Sequence, residues 1–379
     1  MSEDITIREV KTKKERSLFV DFVNEMYRDV PQFVPAFYGD DMADWDPKKN
    51  PAMEYCEARA WLAWRGDRIV GRVGAILSHK ANEKWHTNRM RFSQLDFIDD
   101  PAVSDALIGT VEAWAREKGC DQVHGPLGFC DLDREGLLVD GFDKRSMFIT
   151  YYNYPYYVDH LERLGYRKDA DWVEYLLPVP AKDSQDYKRL ERISQMVMRS
   201  GKYRIVSIKS RRQVKPYVHQ AFELVNEAYG ELYGTVDLNE RQITKYVNKF
   251  LPLINPDFCC LIVDENDRLA AFAVAAPSMA EAMQRCRGHL FPTGWINVLS
   301  ALRKNDLIDL FLIAVRPELQ NTGLNGVILH YMHESCLRNG IQAAETGPML
   351  ETNEKILKQW KMFDPTPRKR RRCFIRDLG

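Results

Sequence analysis

The chain has 379 residues, 45% apolar and 28% charged, the balance of an ordinary globular protein, and at about 150 residues per domain it has room for two to three domains. Its 54 basic and 54 acidic residues cancel, which removes the long-range field that would draw nucleic acid or an anionic membrane as a bulk partner. The longest apolar run, Leu269 to Ala276, is far short of the roughly 20 residues of a spanning helix, and Met1-Ser2-Glu3-Asp4 lacks the basic and apolar regions of a signal peptide, so the expectation is a cytoplasmic chain with no membrane partner.

Ile5 to Val10 reads as a short strand, and the amphipathic stretch after it ends at Phe22-Val23-Asn24-Glu25-Met26-Tyr27. Ala60 to Leu77 is an apolar run broken by Arg65-Gly66-Asp67-Arg68, the pattern of a β-hairpin. Met90 to Ile98 follows as a third strand closed by Pro101, then a helix stopped at Lys118-Gly119. A short segment reaches Gly125-Pro126, and Asn153 is placed to N-cap another helix. Pro178 to Ser184 has the composition of a linker, with a helical segment from Asp186 to Arg199 behind it.

The same order then returns. Tyr203 to Ile208 is β-like, and a helix ends at Leu224-Val225-Asn226-Glu227-Ala228-Tyr229. A hairpin spans Phe258 to Ala276 around Asp264 to Arg268, and the strand Leu307 to Val315 is closed by Pro317. The next helix stops at Asn339-Gly340, a short segment reaches Gly347-Pro348, and Asn353 opens the last helix. The chain therefore reads as a duplicated α/β unit, a mixed sheet with helices on both faces once per half. Residues 1–180 form the first copy, 181–202 a linker with a helix, and 203–379 the second copy.

The copies differ where chemistry would sit. Between the strand-closing proline and the helix-stopping glycine the second copy is five residues longer, in Glu318-Leu319-Gln320-Asn321-Thr322-Gly323-Leu324-Asn325-Gly326. A glycine-containing turn entering a helix aims free N–H groups and the positive end of the helix dipole at one point, which suits a phosphate. The first copy has Asp99, Asp100 and Asp105 around its helix start and no glycine there; these carboxylates suit helix capping and oppose an anion.

Val315-Arg316-Pro317-Glu318-Leu319-Gln320-Asn321-Thr322-Gly323-Leu324-Asn325 resembles the acyl-CoA-binding motif of the GNAT superfamily, V-x-P-x-x-[QR]-x-x-G-x-[GA], with the Val, Pro, Gln and Gly positions matched. Asn325 departs from the final Gly or Ala, and Gly326 beside it is expected to supply the lost backbone freedom. The run from Gly125-Pro126-Leu127-Gly128-Phe129 through Gly136 to Asp143 is similar to a little-characterised branch of bacterial GNAT-like proteins. Over 5–178 and 203–376 the chain resembles two GNAT-like domains in tandem, the first degenerate and the second carrying the acyl-CoA loop.

That resemblance implies acetyl-CoA or another acyl-CoA on the second copy. Its diphosphate would lie on the amides of Gln320, Asn321, Thr322, Gly323, Leu324 and Asn325, with Gly326 adjoining, and its pantetheine along Ile313, Ala314 and Val315. The acceptor would be a small-molecule or peptide amine, with nucleic acid not expected. An ammonium must lose a proton before it attacks a thioester, and Asp309, Glu345 and Glu351 are the carboxylates available. In the family, an asparagine like Asn353 touches pantetheine, and a tyrosine seven residues on protonates the departing thiolate. That position is Trp360 here and His160 in the first copy; indole cannot serve as that acid, which leaves Tyr331 or a water. A catalytically silent acyl-CoA-binding scaffold is the alternative, and transfer from an aminoacyl-tRNA a third reading, for which only the basic run Arg368 to Arg372 argues.

Elsewhere, Tyr151-Tyr152-Asn153-Tyr154-Pro155-Tyr156-Tyr157 reads as packing between domains and the basic run as a solvated edge strand. The eight cysteines show no C-x-x-C spacing and His330 and His333 no carboxylate partner, so buried reduced thiols and no metal are expected.

Overall fold

The structure is a computed structural model describing residues 4–379. Its elements follow the expected order with additions. Strand β1 (Ile5–Glu9) leads to α1 (Lys13–Met26), where Thr12 and Glu15 close a reciprocal capping box, and to α2 (Tyr38–Asp44). The hairpin β2 (Cys56–Arg65) and β3 (Arg68–Ser78) follows, then α3 (His79–Trp85), β4 (Arg89–Phe97), α4 (Pro101–Glu117) and β5 (Gln122–Gly125). After these come β6 (Leu137–Asp140), α5 (Tyr156–Arg163), β7 (Arg167–Pro178) and α6 (Gln185–Arg199).

The second round has β8 (Tyr203–Ile205), α7 (Val218–Tyr229), α8 (Glu240–Phe250), and the hairpin β9 (Cys259–Asp264) and β10 (Leu269–Pro277). Where the first round has α3 alone, the second has two helices, α9 (Ala280–Cys286) and α10 (Gly294–Arg303), before β11 (Leu307–Val315). Then come α11 (Leu324–Asn339), β12 (Ala343–Thr346), β13 (Met349–Leu350), α12 (Glu354–Trp360) and β14 (Thr366–Asp377).

Two compact units result. One is Met1–Val173 with Ala280–Asn297 and Lys369–Gly379; the other is Glu174–Met279 with Val298–Arg368. Their limits are not those of the sequence halves, because each unit completes its sheet with the other half's last strand. In the first unit β14 runs antiparallel to β5, Phe374 opposite Gly125 and Asp377 opposite Gln122. In the second, β7 runs antiparallel to β12, Pro178 opposite Ala343 and Leu176 opposite Glu345.

The first unit's core lies between its sheet and α4, whose Val103, Leu107, Val111 and Trp114 recur at helical spacing against Val73, Phe92 and Phe97. The second unit has one core on each sheet face. Val327, Ile328 and Cys336 of α11 pack on Cys260, Ala273 and Ile308, while Leu224 and Val225 of α7 pack on Leu261, Phe272 and Ala314. Helix α6 is no passive linker: Leu190 and Val197 belong to the α11-side core.

Asn153 does not open a helix. Its side chain accepts from the Leu138 N–H (2.7 Å) and donates to the Leu138 carbonyl (3.0 Å), satisfying both groups of a β6 residue, and α5 starts only after Pro155.

Candidate functional site

In the second unit β11 and β12 pair in parallel only from Leu307 to Leu310, against Ala343 to Thr346. β11 then continues to Val315 with a neighbour, β10, on one side alone. Its register with β10 steps from Val274 opposite Leu312 to Ala275 opposite Leu310, leaving Phe311 as an extra residue. Such a bulge flips the alternation of side chains beyond it. Ile308 and Leu310 before it, and Ile313 and Val315 after it, all face α11, while Leu312 and Ala314 face α7. Beyond the bulge Tyr229, at the end of α7, meets this edge: it donates its hydroxyl to the Ile313 carbonyl (2.7 Å) and accepts from the Ile313 N–H (3.4 Å).

After β11 the chain turns through Pro317–Leu319 into a loop with two left-handed residues, Asn321 (φ 67°) and Gly323 (φ 92°). Glycine adopts that conformation without penalty. The N–H groups of Gln320 and Thr322 turn inward, to the carbonyls of Pro317 and Leu319 (3.3 Å each). The anion cradle is therefore narrower than the sequence suggests. It reduces to the left-handed turn and the first helical residues Leu324, Asn325 and Gly326, whose N–H groups have no carbonyl a turn back inside the helix. Gly323 caps α11 with no side-chain bond, and no acid stands in its first turn. Lys355 donates to the Gln320 side-chain carbonyl (3.0 Å), placing an ammonium beside the turn.

Gly326 has a different role from the one expected of it. A Cβ there would stand 2.5 Å from Ile193 Cγ2 of α6, so its missing side chain makes room for that helix. At Gly323 a Cβ would meet Val197 at 2.8 Å.

Of the four acid–base candidates, two come together. Asp309 and Glu345 oppose each other across the parallel pair, both buried, on the face away from α11. Arg368 lies 3.6 Å from the Glu345 carboxylate. Glu351 follows β13 on a turn, partly buried. Tyr331 is not with them: it lies by Cys260 and Cys259 of β9, two strands from β11, and burial pushes its phenol up to about 12. Asn353 caps α12 through the Ile356 N–H (3.4 Å). Trp360 is buried, its indole N–H directed at Met349 Sδ (3.0 Å) and its ring near Phe363. Sequence reasoning missed Tyr229, although Tyr27 and Tyr229 close the matching helix motifs of the two repeats.

The first unit builds the same features and seals them. β4 pairs with β5 only over Arg89–Arg91, and its register with β3 steps between Arg72 and Gly74, with Gln94 left-handed (φ 44°). Beyond that, the Phe97 N–H donates to the Tyr157 hydroxyl (2.9 Å) and the Phe97 carbonyl accepts from Tyr156 (2.5 Å). Tyr157 is hydrogen-bonded to Tyr27 (2.7 Å), Tyr27 donates to Asp96 (3.1 Å), and Arg72 donates to the other Asp96 oxygen (2.7 Å). Burial, foremost, holds the phenols of Tyr27 and Tyr157 well above their ordinary range.

At the start of α4, Asp100 caps the Ala102 N–H (2.8 Å) and holds Arg65, while Asp105 pairs with Arg163. His160 links Ser104 Oγ (2.7 Å) to Asp99 (3.0 Å). Ser104 is 1% exposed, which closes this Ser–His–Asp array to a substrate.

The basic run is internal rather than a solvated edge: Arg370 and Arg372 hold Asp171 (2.9 and 2.8 Å), and buried Arg371 donates to the Tyr151 carbonyl (2.6 Å). The tyrosine run packs inside the first unit, Tyr152 and Tyr154 against Tyr27, and Tyr156 and Tyr157 against Phe97. All eight cysteines are free. His333 bonds the Pro180 carbonyl (2.6 Å). Where the sequence suggested no metal ligands, the described residues hold one group that could serve: His124, Asp169 and Cys373, with ligand atoms within 4.8 Å of one another. Arg89 already lies on that Asp169 carboxylate (3.4 Å). No helix among the described residues is long and apolar enough to cross a membrane.

No family model matches the chain. Protein YghO of Escherichia coli (strain K12) is 26% identical over 378 residues, 98% of this chain and 95% of that one. A bacterial ceramide synthase of Caulobacter vibrioides is 25% identical over 363 residues, 93% and 92% of the two chains. Among solved structures, a tandem GNAT protein from the clavulanic acid biosynthesis pathway superposes with a TM-score of 0.57 over 99% of both chains, at 13% identity. The fold is thus that of two GNAT-like units in tandem.

Proposed function

We propose that the chain is an acyl-CoA-dependent N-acyltransferase whose second unit takes the acyl-CoA. The observation that carries this is the contrast between two copies of one motif. Both have a strand left unpaired beyond a bulge and a helix start beside it, but the first copy fills the edge with Tyr156 and Tyr157 and the helix start with Ser104 and His160. In the second, Tyr229 holds the edge at Ile313 through one hydroxyl, and the chain enters α11 through a glycine turn with no side-chain cap. That turn suits a diphosphate, on the N–H groups from Gly323 to Gly326 with Lys355 adding charge. The β11 edge at Ile313, Ala314 and Val315 suits the amides of pantetheine.

In the reaction the acceptor amine nitrogen bonds to the thioester carbonyl carbon, the C–S bond breaks, and CoA leaves as the thiolate. Asp309, with Glu345 beside it, is the candidate to take the ammonium proton, directly or through water. The Ile313 N–H, once Tyr229 releases it, is the candidate donor to the oxyanion. Tyr229, not Tyr331, is then the phenol nearest the departing sulfur. The free cysteines support a reducing compartment such as the cytoplasm.

The near full-length likeness to a ceramide synthase favours one acceptor class. Ceramide is the amide of a fatty acid with a long-chain amino alcohol, so a fatty acyl donor and a long-chain amine fit this reading better than acetyl-CoA and a peptide. The silent acyl-CoA-binding scaffold draws its support from Trp360, a core residue where the family acid would stand.

Titration calorimetry with CoA tests the site. Wild type and Ala102→Glu, at the exposed start of α4, are expected to bind alike, and Gly323→Glu not at all. Equal loss in both variants, or no binding by wild type, refutes the assignment to the second unit. Thiol release from palmitoyl-CoA or acetyl-CoA across a panel of amines separates the enzyme from the scaffold.

A further inference from the structure

The segment between β10 and β11 carries large apolar side chains into solvent. Phe291 is 82% exposed, Ile296 50%, Trp295 45% and Leu299 38%. Along α10 Trp295, Val298, Leu299 and Leu302 share one face at i, i+3, i+4 and i+7: Val298 and Leu302 are buried and anchor the helix, while Trp295, Leu299 and, further round, Ile296 carry that face out into solvent. The exposed part is held in place: the Trp295 indole N–H donates to the Pro292 carbonyl at 3.0 Å. The apolar face of this ten-residue helix is thus wider than the part that the fold buries.

The charges around this face say what covers it. From Glu281 to Asp306 the chain has four cations, Arg285, Arg287, Arg303 and Lys304, against two acids, Asp306 and Glu281, which pairs with Arg285 (3.7 Å), an excess of two positive charges although the whole protein is neutral. All four cations are exposed, two before the apolar group and two at the far end of α10. Phe291 in the turn before a short helix and Trp295 on its apolar face, with cations on both sides, are the parts of an interfacial helix. Such a helix buries its apolar side at the boundary of headgroups and acyl chains while Arg and Lys meet lipid phosphates. A second copy of the chain is a poorer occupant, because a two-fold contact presents the same excess of cations from both sides.

We propose that α10 and the turn before it dock this protein on the surface of a bilayer containing anionic lipid. The helix lies on the membrane and does not span it, so the docking is reversible and salt-sensitive. This surface stands apart from the acyl-transfer reading: it holds whether or not the second unit binds CoA.

Co-sedimentation with vesicles of phosphatidylethanolamine and phosphatidylglycerol, compared with pure phosphatidylcholine, tests it. Wild type is expected on the anionic vesicles and largely free of the neutral ones, with binding falling as salt rises. The double variant Phe291→Ser with Ile296→Ser changes the two most exposed of these side chains, so it is expected to keep its thermal melt while losing at least about tenfold in partition. Arg303→Glu with Lys304→Glu is expected to lose about thirtyfold, from about 1 kcal/mol per cation. The proposal is overturned if wild type ignores anionic vesicles or if the Phe291/Ile296 variant binds them as well as wild type. Light scattering that shows a wild-type dimer turned monomeric by the same variant overturns it too, assigning the surface to a second copy.

Discussion

Tyr229→Phe removes one oxygen from the second unit and reports on what the β11 edge is for. In the free protein that oxygen makes two bonds to Ile313, one at 2.7 Å and one stretched to 3.4 Å. A neutral internal bond contributes about 1 kcal/mol net, and the stretched one adds little, so the variant should unfold about 1 kcal/mol more easily. Tyr229 is only partly buried, so water can reach the freed Ile313 groups and keep the loss from growing. Binding should move the other way. If pantetheine pairs with β11 at Ile313, wild type must first detach Tyr229, and the ligand meets that opposition in wild type alone. About 1 kcal/mol corresponds to about a fivefold gain in CoA affinity for the variant. Thiol release should meanwhile slow if the phenol assists the departing sulfur. Calorimetry with CoA alongside thermal melts reads the first two quantities on one preparation. CoA affinity that is unchanged or lower in a folded Tyr229→Phe protein would refute the competition and, with it, the use of this edge by pantetheine.

Two further outcomes test the packing arguments. Gly326→Ala sets a methyl 2.5 Å from Ile193 Cγ2, an overpacking that costs about 1–3 kcal/mol; in urea titrations Ile193→Ala in the same chain should recover much of the loss, whereas simple additivity of the two would contradict the contact. Burial opposes the charge on Asp171, but bonds from Arg372 and Arg370 outweigh it and hold the carboxyl below its usual range. Its folded pKa is the depressed one, so the stabilisation is complete above the unfolded value of about 3.9 and disappears as pH falls through the folded value. Asp171→Asn should therefore cost about 3 kcal/mol near neutrality, with two guanidiniums left facing a neutral side chain. Melting curves of the pair should converge in strong acid, and a constant gap down the pH range would show that charge is not the cause.

What the sequence made legible was local. The hairpins at Cys56–Ser78 and Cys259–Pro277, the strand Leu307–Val315 and the glycine stop at Gly340 rest on alternation and turn chemistry within a few residues. Helices α9 and α10 leave little mark in the sequence, because they are short and Gly288, Pro292 and Gly294 break the apolar period around them. Asn153 has the residue type of a cap, but Leu138, fifteen residues away, claims its side chain. The exchange of β7 and β14 was out of reach for a similar reason, since neighbours in sequence usually pair and nothing in either strand names a distant partner. Arg368 to Arg372 looked like a solvated charge run because Asp171, their counterion, lies some two hundred residues earlier in the chain.

The site's loop was legible and its strand was not. A bulge at Phe311 and a left-handed Gln94 leave no mark in composition, yet they create the open edge in both copies. Buried backbone groups on such an edge must find partners, and a duplicated fold can supply them from its own chain or leave them to a ligand. The first copy took the former course: Tyr156, Tyr157 and Tyr27 close the edge, with Asp96 and Arg72 fixing the phenols from behind. In the second, Tyr229 stands where Tyr27 stands and has to serve the N–H and carbonyl of Ile313 with one hydroxyl. A partner of that kind can be displaced, whereas the tyrosine network of the first copy cannot be without leaving buried Asp96 one bond short. The difference between a sealed copy and an openable one is thus carried by the side chains around two equivalent tyrosines on a shared backbone plan.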